Sequence, residues 1–214
     1  MRGLLALELS PDPCSLALLR EDGQVFTRSF GGERGRALLH EVDALFTDAG
    51  LTRDQLTGVI VGIGPGSYTG LRIACTAART LAFALNIPTA GISSFDAAID
   101  PGHANETHVV LDAYRGEVYH GAGRAEQDQV TMTQAPRVCT LDELRPLLAD
   151  KKVVCDARLS ESLADLAPVA YVPTAQRLLQ LARARGVTMD GQGFDALEPA
   201  EPLYLRAAAF RPNS

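Results

Sequence analysis

The sequence predicts an α/β fold of two similar lobes, each built from a mixed β-sheet with flanking helices. Three observations lead to this prediction. Short apolar runs alternate with segments of helical periodicity, each half of the chain opens with a strand and a hairpin, and an Asp-Pro-Gly turn at 100–102 separates the halves. The 214 residues are 46% hydrophobic and 21% charged, a composition typical of folded proteins.

The first half opens with three predicted strands. The apolar run 4–9, which contains one acidic residue at Glu8, precedes a Pro-Asp-Pro turn. Two further strands are predicted over 14–19 and 25–30, and the Glu-Asp-Gly segment between them indicates a hairpin.

Helices and buried strands then alternate. Segment 33–49 has apolar residues at the spacing of one helix face, and a second helix is predicted over 71–85. The continuous apolar run 59–61 is typical of a strand buried on both faces, and another short strand is expected over 89–92.

The second half repeats this order. A strand over 107–111 ends at Asp112, and two more strands are predicted at 118–121 and 130–133. A helix, a strand and a further helix follow, over 141–148, 152–155 and 173–185.

Repeated halves of this form are typical of duplicated ribonuclease-H-like domains, the architecture of the actin-like ATPase superfamily. We therefore predict a first lobe over 1–101 and a second, smaller lobe over 102–202. The tail 203–214 is expected to return to the first lobe.

Composition argues against several classes of function. The net charge is −6, so the basic face of a protein that grips phosphates directly is not expected. The four cysteines are scattered and no two of the four histidines lie four residues apart, so reduced buried thiols are expected and no metal site is predicted. The apolar run at the start is too short for a signal peptide or membrane span, which favours a cytoplasmic protein.

The loop 62–70 carries the most information about a site. Gly64 and Gly66 free the backbone where a strand leads into a helix, and Ser67 and Thr69 offer hydroxyl groups to the first amides of that helix. Such a helix start can bind an anion; the alternative interpretation is a tight turn with a cap. The loop lacks the Walker A lysine and fits neither the dinucleotide-binding glycine pattern nor the G-x-S-x-G nucleophile elbow.

Four blocks of the sequence resemble one known family. GIGPGSYTGLRIA at 62–74 is similar to the signature GxGPGSFTGLRIG of the TsaB (YeaZ) family, with Tyr68 in place of the usual Phe. LDAYRGEVY at 111–119 resembles the family's IDARxGEVY, and EPLYLR at 201–206 resembles EPxYLR. ALELSPDPCSLALL at 6–19 resembles AIDTSxxxCSVAL, and the blocks occur in the family's order.

The resemblance implies two actin-like lobes and a role in making N6-threonylcarbamoyladenosine at position 37 of tRNA. Family members pair with the catalytic subunit TsaD and act with TsaE as a non-catalytic scaffold and activator. ATP and a metal ion are then expected on TsaD and no cofactor on this chain. This chain is expected to act on tRNA only through its partners. Whether the isolated chain forms a homodimer is left undecided by the sequence.

Two acidic residues leave a catalytic alternative open. Actin-like ATPases hold a magnesium nucleotide with acids at the ends of the first strands, where Glu8 and Asp112 stand, so an ATPase or phosphotransferase is one alternative. The other interpretation is that both side chains cap turns. Glu8 replaces the family's Asp, and Asp156-Ala157 replaces a glycine-bearing turn of relatives. A glycoprotease-like hydrolase would need a nucleophile and base that are not recognisable here.

The helix 71–85 has a second apolar face of small residues, which indicates either burial within the chain or a contact with another protein. In TsaB relatives, this helix and the preceding one pack against the same pair in a partner. The resemblance therefore implies an interface with TsaD through helices 33–49 and 71–85. The residues predicted for it are Leu38, Val42, Leu45, Ile73, Ala77, Thr80 and Ala84.

Overall fold

The computed structural model describes residues 1–32, 34–99, 105–126 and 129–205. These residues form two five-stranded mixed sheets with flanking helices, which confirms the predicted fold class of two ribonuclease-H-like lobes. The predicted helix start at Glu33 and the predicted lobe boundary near Pro101 lie outside the described residues.

The first sheet has the strand order β3-β2-β1-β4-β5. Its strands are β1 (Gly3–Glu8), β2 (Cys14–Arg20), β3 (Val25–Phe30), β4 (Leu56–Gly64) and β5 (Thr89–Ser93). The three helices that follow its strands are α1 (Arg34–Ala49), α2 (Tyr68–Leu85) and α3 (Ser94–Ala98). The first three strands form an antiparallel meander, whereas β4 runs parallel to β1 and to β5.

The second sheet repeats this topology, with the order β10-β9-β6-β7-β8. Its strands are β6 (Thr107–Asp112), β7 (Glu117–Glu126), β8 (Gln129–Thr140), β9 (Lys152–Asp156) and β10 (Val169–Tyr171). The helices of this half are α4 (Leu141–Leu144) and α5 (Ala175–Ala184). Again β6, β7 and β8 are antiparallel, and β9 is parallel to β6 and to β10.

Strand β1 lies at the centre of the first sheet and is buried on both faces. Leu5 and Leu7 belong to the core that the sheet forms with α1 and α2, while Leu4 and Ala6 belong to a core on the opposite face. Alternate side chains of a strand point to opposite faces, so a strand in this position must be apolar throughout.

The helix α5 packs against the first sheet. Although it lies within the segment 102–202 predicted for the second lobe, Leu178 and Leu181 pack with Leu4 on the first sheet. The physical reason is that the apolar second face of β1 needs a cover, and α5 supplies it. In turn, α3 from the first half contributes Phe95 to the core of the second sheet.

Smaller differences concern the ends of elements. The helix α2 begins three residues earlier than predicted because Ser67 caps it at Tyr68. The short strand β10 was not predicted, since three residues without alternation carry no periodic signal. Leu203 donates its N–H to the carbonyl of Ile63 on β4 at 2.8 Å, and the rest of the predicted returning tail, 206–214, lies outside the described residues.

All four cysteines are buried and free of disulfide bonds. Among the described residues, no helix combines the length and the apolar character that crossing a membrane requires.

Candidate functional site

The glycine-rich loop between β4 and α2 is held by contacts within the chain. The Oγ of Ser67 accepts a hydrogen bond from the backbone N–H of Gly70 at 3.3 Å, which caps α2. Arg34 from α1 donates from Nη1 to the same Oγ at 2.6 Å and from Nη2 to the carbonyl of Pro11 at 3.0 Å. The cap hydroxyl is therefore engaged by the protein itself, and Arg34 ties the loop to the β1–β2 turn.

Two glycines of this loop occupy positions closed to other residues. Gly64 has a φ of +91°, in the left-handed region. A Cβ on Gly66 would lie 2.6 Å from the Cβ of Ser10, so the loop rests directly on the β1–β2 turn. Thr69 is exposed in the first turn of α2. These contacts account for a tight turn with a cap, and anion binding by the loop stays a prediction.

Glu8, at the end of β1, is fully buried. Its Oε1 accepts a hydrogen bond from the backbone N–H of Ser10 at 2.9 Å, and its Oε2 has no partner within the described part of the chain. Burial raises the pKa of this carboxyl, an effect that the hydrogen bonds from Ser10 oppose. A carboxyl biased toward its neutral form is a poor ligand for a magnesium ion.

Asp112, at the corresponding end of β6, is engaged by an arginine of its own lobe. Its Oδ1 accepts from the backbone N–H of Tyr114 at 2.7 Å, and Arg158 lies 3.1 Å from its Oδ2. The same guanidinium lies 2.6 Å from Asp156 and 5.1 Å from the ring centroid of Tyr114. Although burial favours a higher pKa for Asp156, hydrogen bonds from Arg158 outweigh it and lower that pKa.

A cavity of about 360 Å³ lies where the two β-meander turns face each other across the lobes. Its polar lining includes Ser10, Asp12, Arg34, Tyr114, Asp156 and Arg158. Across residues 1–32, 34–99, 105–126 and 129–205, no three His, Cys, Asp or Glu side chains are grouped so that they could hold a metal ion. The acids of the second lobe that would face a nucleotide-bound cation are instead paired with Arg158.

The residues of α1 that were predicted for the interface lie in the core of the isolated chain. Leu38, Val42 and Leu45 are 3%, 4% and 0% exposed and belong to the core of the first sheet. Since α1 has a single apolar face, and since the first sheet needs a cover, that face points inward. In the isolated chain these three side chains contribute to the core and not to the surface.

The predicted small-residue face of α2 is divided between core and surface. Ile73 and Ala77 are half-buried and pack against the core shared with α1. Thr80 and Ala84 are exposed. Only the second pair lies on an accessible surface of the isolated chain.

The structure places an aromatic groove on the exposed side of α2. We define the α2 groove by its lining residues Tyr68, Arg72, Cys75, Thr76, Arg79, Thr80, Phe83, Pro202 and Tyr204. Its volume is about 760 Å³, and the side of Phe83 is open to solvent, since this residue is 91% exposed. Tyr68 and Tyr204, which are also exposed, have ring centroids 5.3 Å apart.

Most of this groove was missed from the sequence. Tyr68, Arg72, Arg79 and Phe83 recur at helical spacing along α2, so one stripe of mixed aromatic and cationic residues could have been recognised. The contribution of Tyr204 could not, because it comes from a segment more than 100 residues away.

Comparison with known proteins gives the family. The family model described as TsaD, tRNA N6-adenosine threonylcarbamoyltransferase, matches residues 34–185, which is more than half of the chain. The tRNA threonylcarbamoyladenosine biosynthesis protein TsaB of Bacillus subtilis is 36% identical over 123 residues, which cover 55% of this chain and 53% of that protein. The protein of the same name from Haemophilus influenzae is 31% identical over 121 residues, which cover 54% and 51%.

The chain thus spans about half the length of the curated relatives it matches. The solved structure of YeaZ from Pseudomonas aeruginosa is similar over a longer range, with a TM-score of 0.77 and 27% identity. That similarity covers 96% of this chain and 100% of the YeaZ chain. The chain belongs to the family that this model defines, and it is similar in sequence to TsaB proteins and in structure to YeaZ.

Proposed function

We propose that this protein is a non-catalytic scaffold and activator in the formation of N6-threonylcarbamoyladenosine at position 37 of tRNA. The process is the one named for its curated relatives. The proposed partners are TsaD, which would carry the ATP, the metal ion and the chemistry, and TsaE. Contact with tRNA would be indirect, and the protein would act in the cytoplasm. In the absence of TsaD, the chain could form a homodimer.

The observation that carries this proposal is the α2 groove. An aromatic side chain that is 91% exposed, as Phe83 is, leaves a large apolar surface in water. Aromatic and arginine side chains are the types that dominate the energetics of protein interfaces, and the α2 groove presents both. A partner helix laid along α2 would remove Tyr68, Phe83 and Tyr204 from water together.

The site between the lobes supports the non-catalytic part of the proposal. An actin-like ATPase needs free carboxylates to hold a magnesium nucleotide. Here Glu8 is buried with a raised pKa, and Arg158 neutralises Asp112 and Asp156. The ATPase or phosphotransferase alternative therefore finds little support in the geometry of this cleft.

The interface is tested by Phe83→Asp. A carboxylate buried at the contact without a partner is costly, so we expect affinity for TsaD to fall at least about 30-fold, equivalent to about 2 kcal/mol. Binding is measured by calorimetry, and threonylcarbamoyl transfer to tRNA is measured in the reconstituted mixture.

A matched control is Val169→Asp, which places the same charge on an apolar residue that is 56% exposed in β10, away from α2. It should leave binding and transfer unchanged. Unchanged binding by Phe83→Asp, with the fold intact by circular dichroism, would show that TsaD docks elsewhere.

The non-catalytic assignment is tested separately by nucleotide hydrolysis. We expect the purified chain to be inactive alone and to raise the activity of TsaD when mixed with it. Hydrolysis by the chain alone that is lost on Asp112→Asn would favour the ATPase alternative instead.

A further inference from the structure

Two carboxylates meet at the end of the second sheet. Asp112 is the last residue of β6 and Asp156 the last residue of β9, and these two strands are parallel neighbours. Their side chains are only 20% and 21% exposed, so water screens each charge poorly. Like charges held side by side in this way are unfavourable unless a cation lies between them.

Arg158 supplies the positive charge that this arrangement needs. Its Nη1 lies 3.1 Å from Oδ2 of Asp112, and its Nη2 lies 2.6 Å from Oδ2 of Asp156. Its Nε also donates to Oδ1 of Asp156 at 3.1 Å, so one carboxylate is bound by both sides of the guanidinium fork. A divalent cation shared by two carboxylates would neutralise them from the same place.

The β6–β7 turn depends on the same guanidinium. Tyr114 and Arg115 have φ angles of +59° and +60°, a left-handed conformation that is unfavourable for residues with a Cβ. Asp112 holds the turn by accepting a hydrogen bond from the N–H of Tyr114, and the guanidinium of Arg158 lies 5.1 Å from the Tyr114 ring centroid. Arg158 therefore connects the two acids to the strained turn.

We propose that Arg158 is an internal substitute for a divalent metal ion: it neutralises Asp112 and Asp156 and keeps the β6–β7 turn in its left-handed conformation. The acids beneath it form a latent divalent-cation site, in which two carboxylates are the protein ligands and water completes the coordination. The Arg158 side chain is 50% exposed, so a hydrated ion can reach the acids once the guanidinium is removed. This inference goes beyond the proposed function and does not depend on it.

The test is Arg158→Ala in the full chain, with manganese as the probe. We expect the variant to bind one Mn²⁺ ion at least about 10-fold more tightly than wild type, measured from the electron paramagnetic resonance of the free ion. Its melting temperature should fall by about 2–4 °C, and Mn²⁺ should restore it. Hydrogen exchange of the amides of residues 113–117 should become faster in the variant and slow again when Mn²⁺ is added.

Two controls separate this site from general effects of an added ion. Arg158→Ala combined with Asp112→Asn should lose both the binding and the rescue by Mn²⁺, because one of the two carboxylates is gone. Arg145→Ala removes another arginine of the second lobe, which pairs with Asp165, and Mn²⁺ should not raise its melting temperature.

The proposal is wrong if folded Arg158→Ala binds Mn²⁺ no better than wild type, or if Mn²⁺ stabilises wild type and Arg145→Ala equally. Arg158→Gln removes the charge but keeps a hydrogen-bond donor, and it gives the same test if Arg158→Ala does not fold. Arg158→Lys keeps the charge and should exclude Mn²⁺. Binding by Arg158→Lys as tight as that of Arg158→Ala would overturn the claim that the side chain replaces the ion.

Discussion

The contact between Gly66 and Ser10 fixes how closely the glycine-rich loop approaches the end of β1. The positive φ of Gly64 is a backbone conformation that residues with a side chain rarely adopt. At Gly66 the constraint is a close approach and not a positive φ, since an added Cβ would lie 2.6 Å from that of Ser10.

We therefore expect Gly66→Ala to lower the free energy of unfolding by about 1–3 kcal/mol, because the loop must move away from the turn. Gly35→Ala is the control: an added Cβ there meets only Ile73 at 3.7 Å, an ordinary contact, in the first turn of α1. Urea unfolding measures both. Equal unfolding free energies of the two variants would show that the loop can accommodate a Cβ at residue 66 without strain.

Two buried histidines of the second sheet form a pair that the sequence did not reveal. His108 and His120 are 3% and 2% exposed, their rings stack at 9°, and Nδ1 of His108 lies 3.0 Å from Nε2 of His120. One nitrogen must donate and the other accept, so the ring that accepts is neutral in this arrangement. They lie 12 residues apart on neighbouring strands, and register alone brings them together.

The pair predicts loss of stability in acid. Burial, together with the charges of His108 and Arg137, lowers the pKa of His120 from 6.5 to about 4. Burial also lowers the pKa of His108, assisted by Lys151 and opposed by Glu106. The unfolded chain binds protons first, so stability present above pH 6.5 is lost as the pH falls toward about 4. The loss from His120 should reach about 3 kcal/mol at most.

His120→Gln checks this expectation, because an amide can hydrogen-bond to His108 without titrating in this range. Its unfolding free energy should fall less steeply between pH 6.5 and 4 than that of wild type. His40→Gln removes an exposed histidine and should reproduce the wild-type profile. A wild-type slope in His120→Gln would assign the acid sensitivity to other groups.

At the scale of elements, helical periodicity located α1 and α2 but did not settle which face of α2 is exposed. Both faces of α2 carry apolar residues, so the pattern allowed two orientations. Packing decides between them: Ile73 and Ala77 contact the core shared with α1, while Thr80 remains accessible. Sequence alone could not show this, because it depends on how α1 crosses α2.

A pair of variants separates core from interface on α2. Ala77→Arg should lower stability, since a long charged side chain must enter the contact with α1. Thr80→Arg, one turn along, should leave the unfolding free energy within about 0.5 kcal/mol of wild type and weaken TsaD binding. Thermal unfolding and calorimetry measure the two effects. A destabilised Thr80→Arg would mean that this position is also part of the core.

At the scale of the whole molecule, the repeated order of strands made the two-lobe fold predictable. Hairpins and apolar runs are local signals, and they recur in both halves. By contrast, the sequence did not predict that α3 packs on the second sheet and α5 on the first. A helix's apolar face shows that it needs a cover but not which sheet supplies it, and α5 would satisfy either one. The ion pair between Arg158 and Asp112 could not be predicted either, because tertiary packing brings these two distant residues together.

Because α5 covers the first sheet, a change in α5 should be detected in strands that are distant in sequence. Leu178 is fully buried against the face of β1 that carries Leu4, so Leu178→Ala should cost about 2–5 kcal/mol. Hydrogen exchange should then show reduced protection of amides in β1 and β4, with little change in β7 and β8. Leu144→Ala, which removes an equally buried leucine beside Val118 in the second lobe, should give the opposite pattern. If Leu178→Ala instead exposed only amides after residue 105, α5 would be energetically part of the second lobe, and the exchange of helices would contribute nothing to coupling the two sheets.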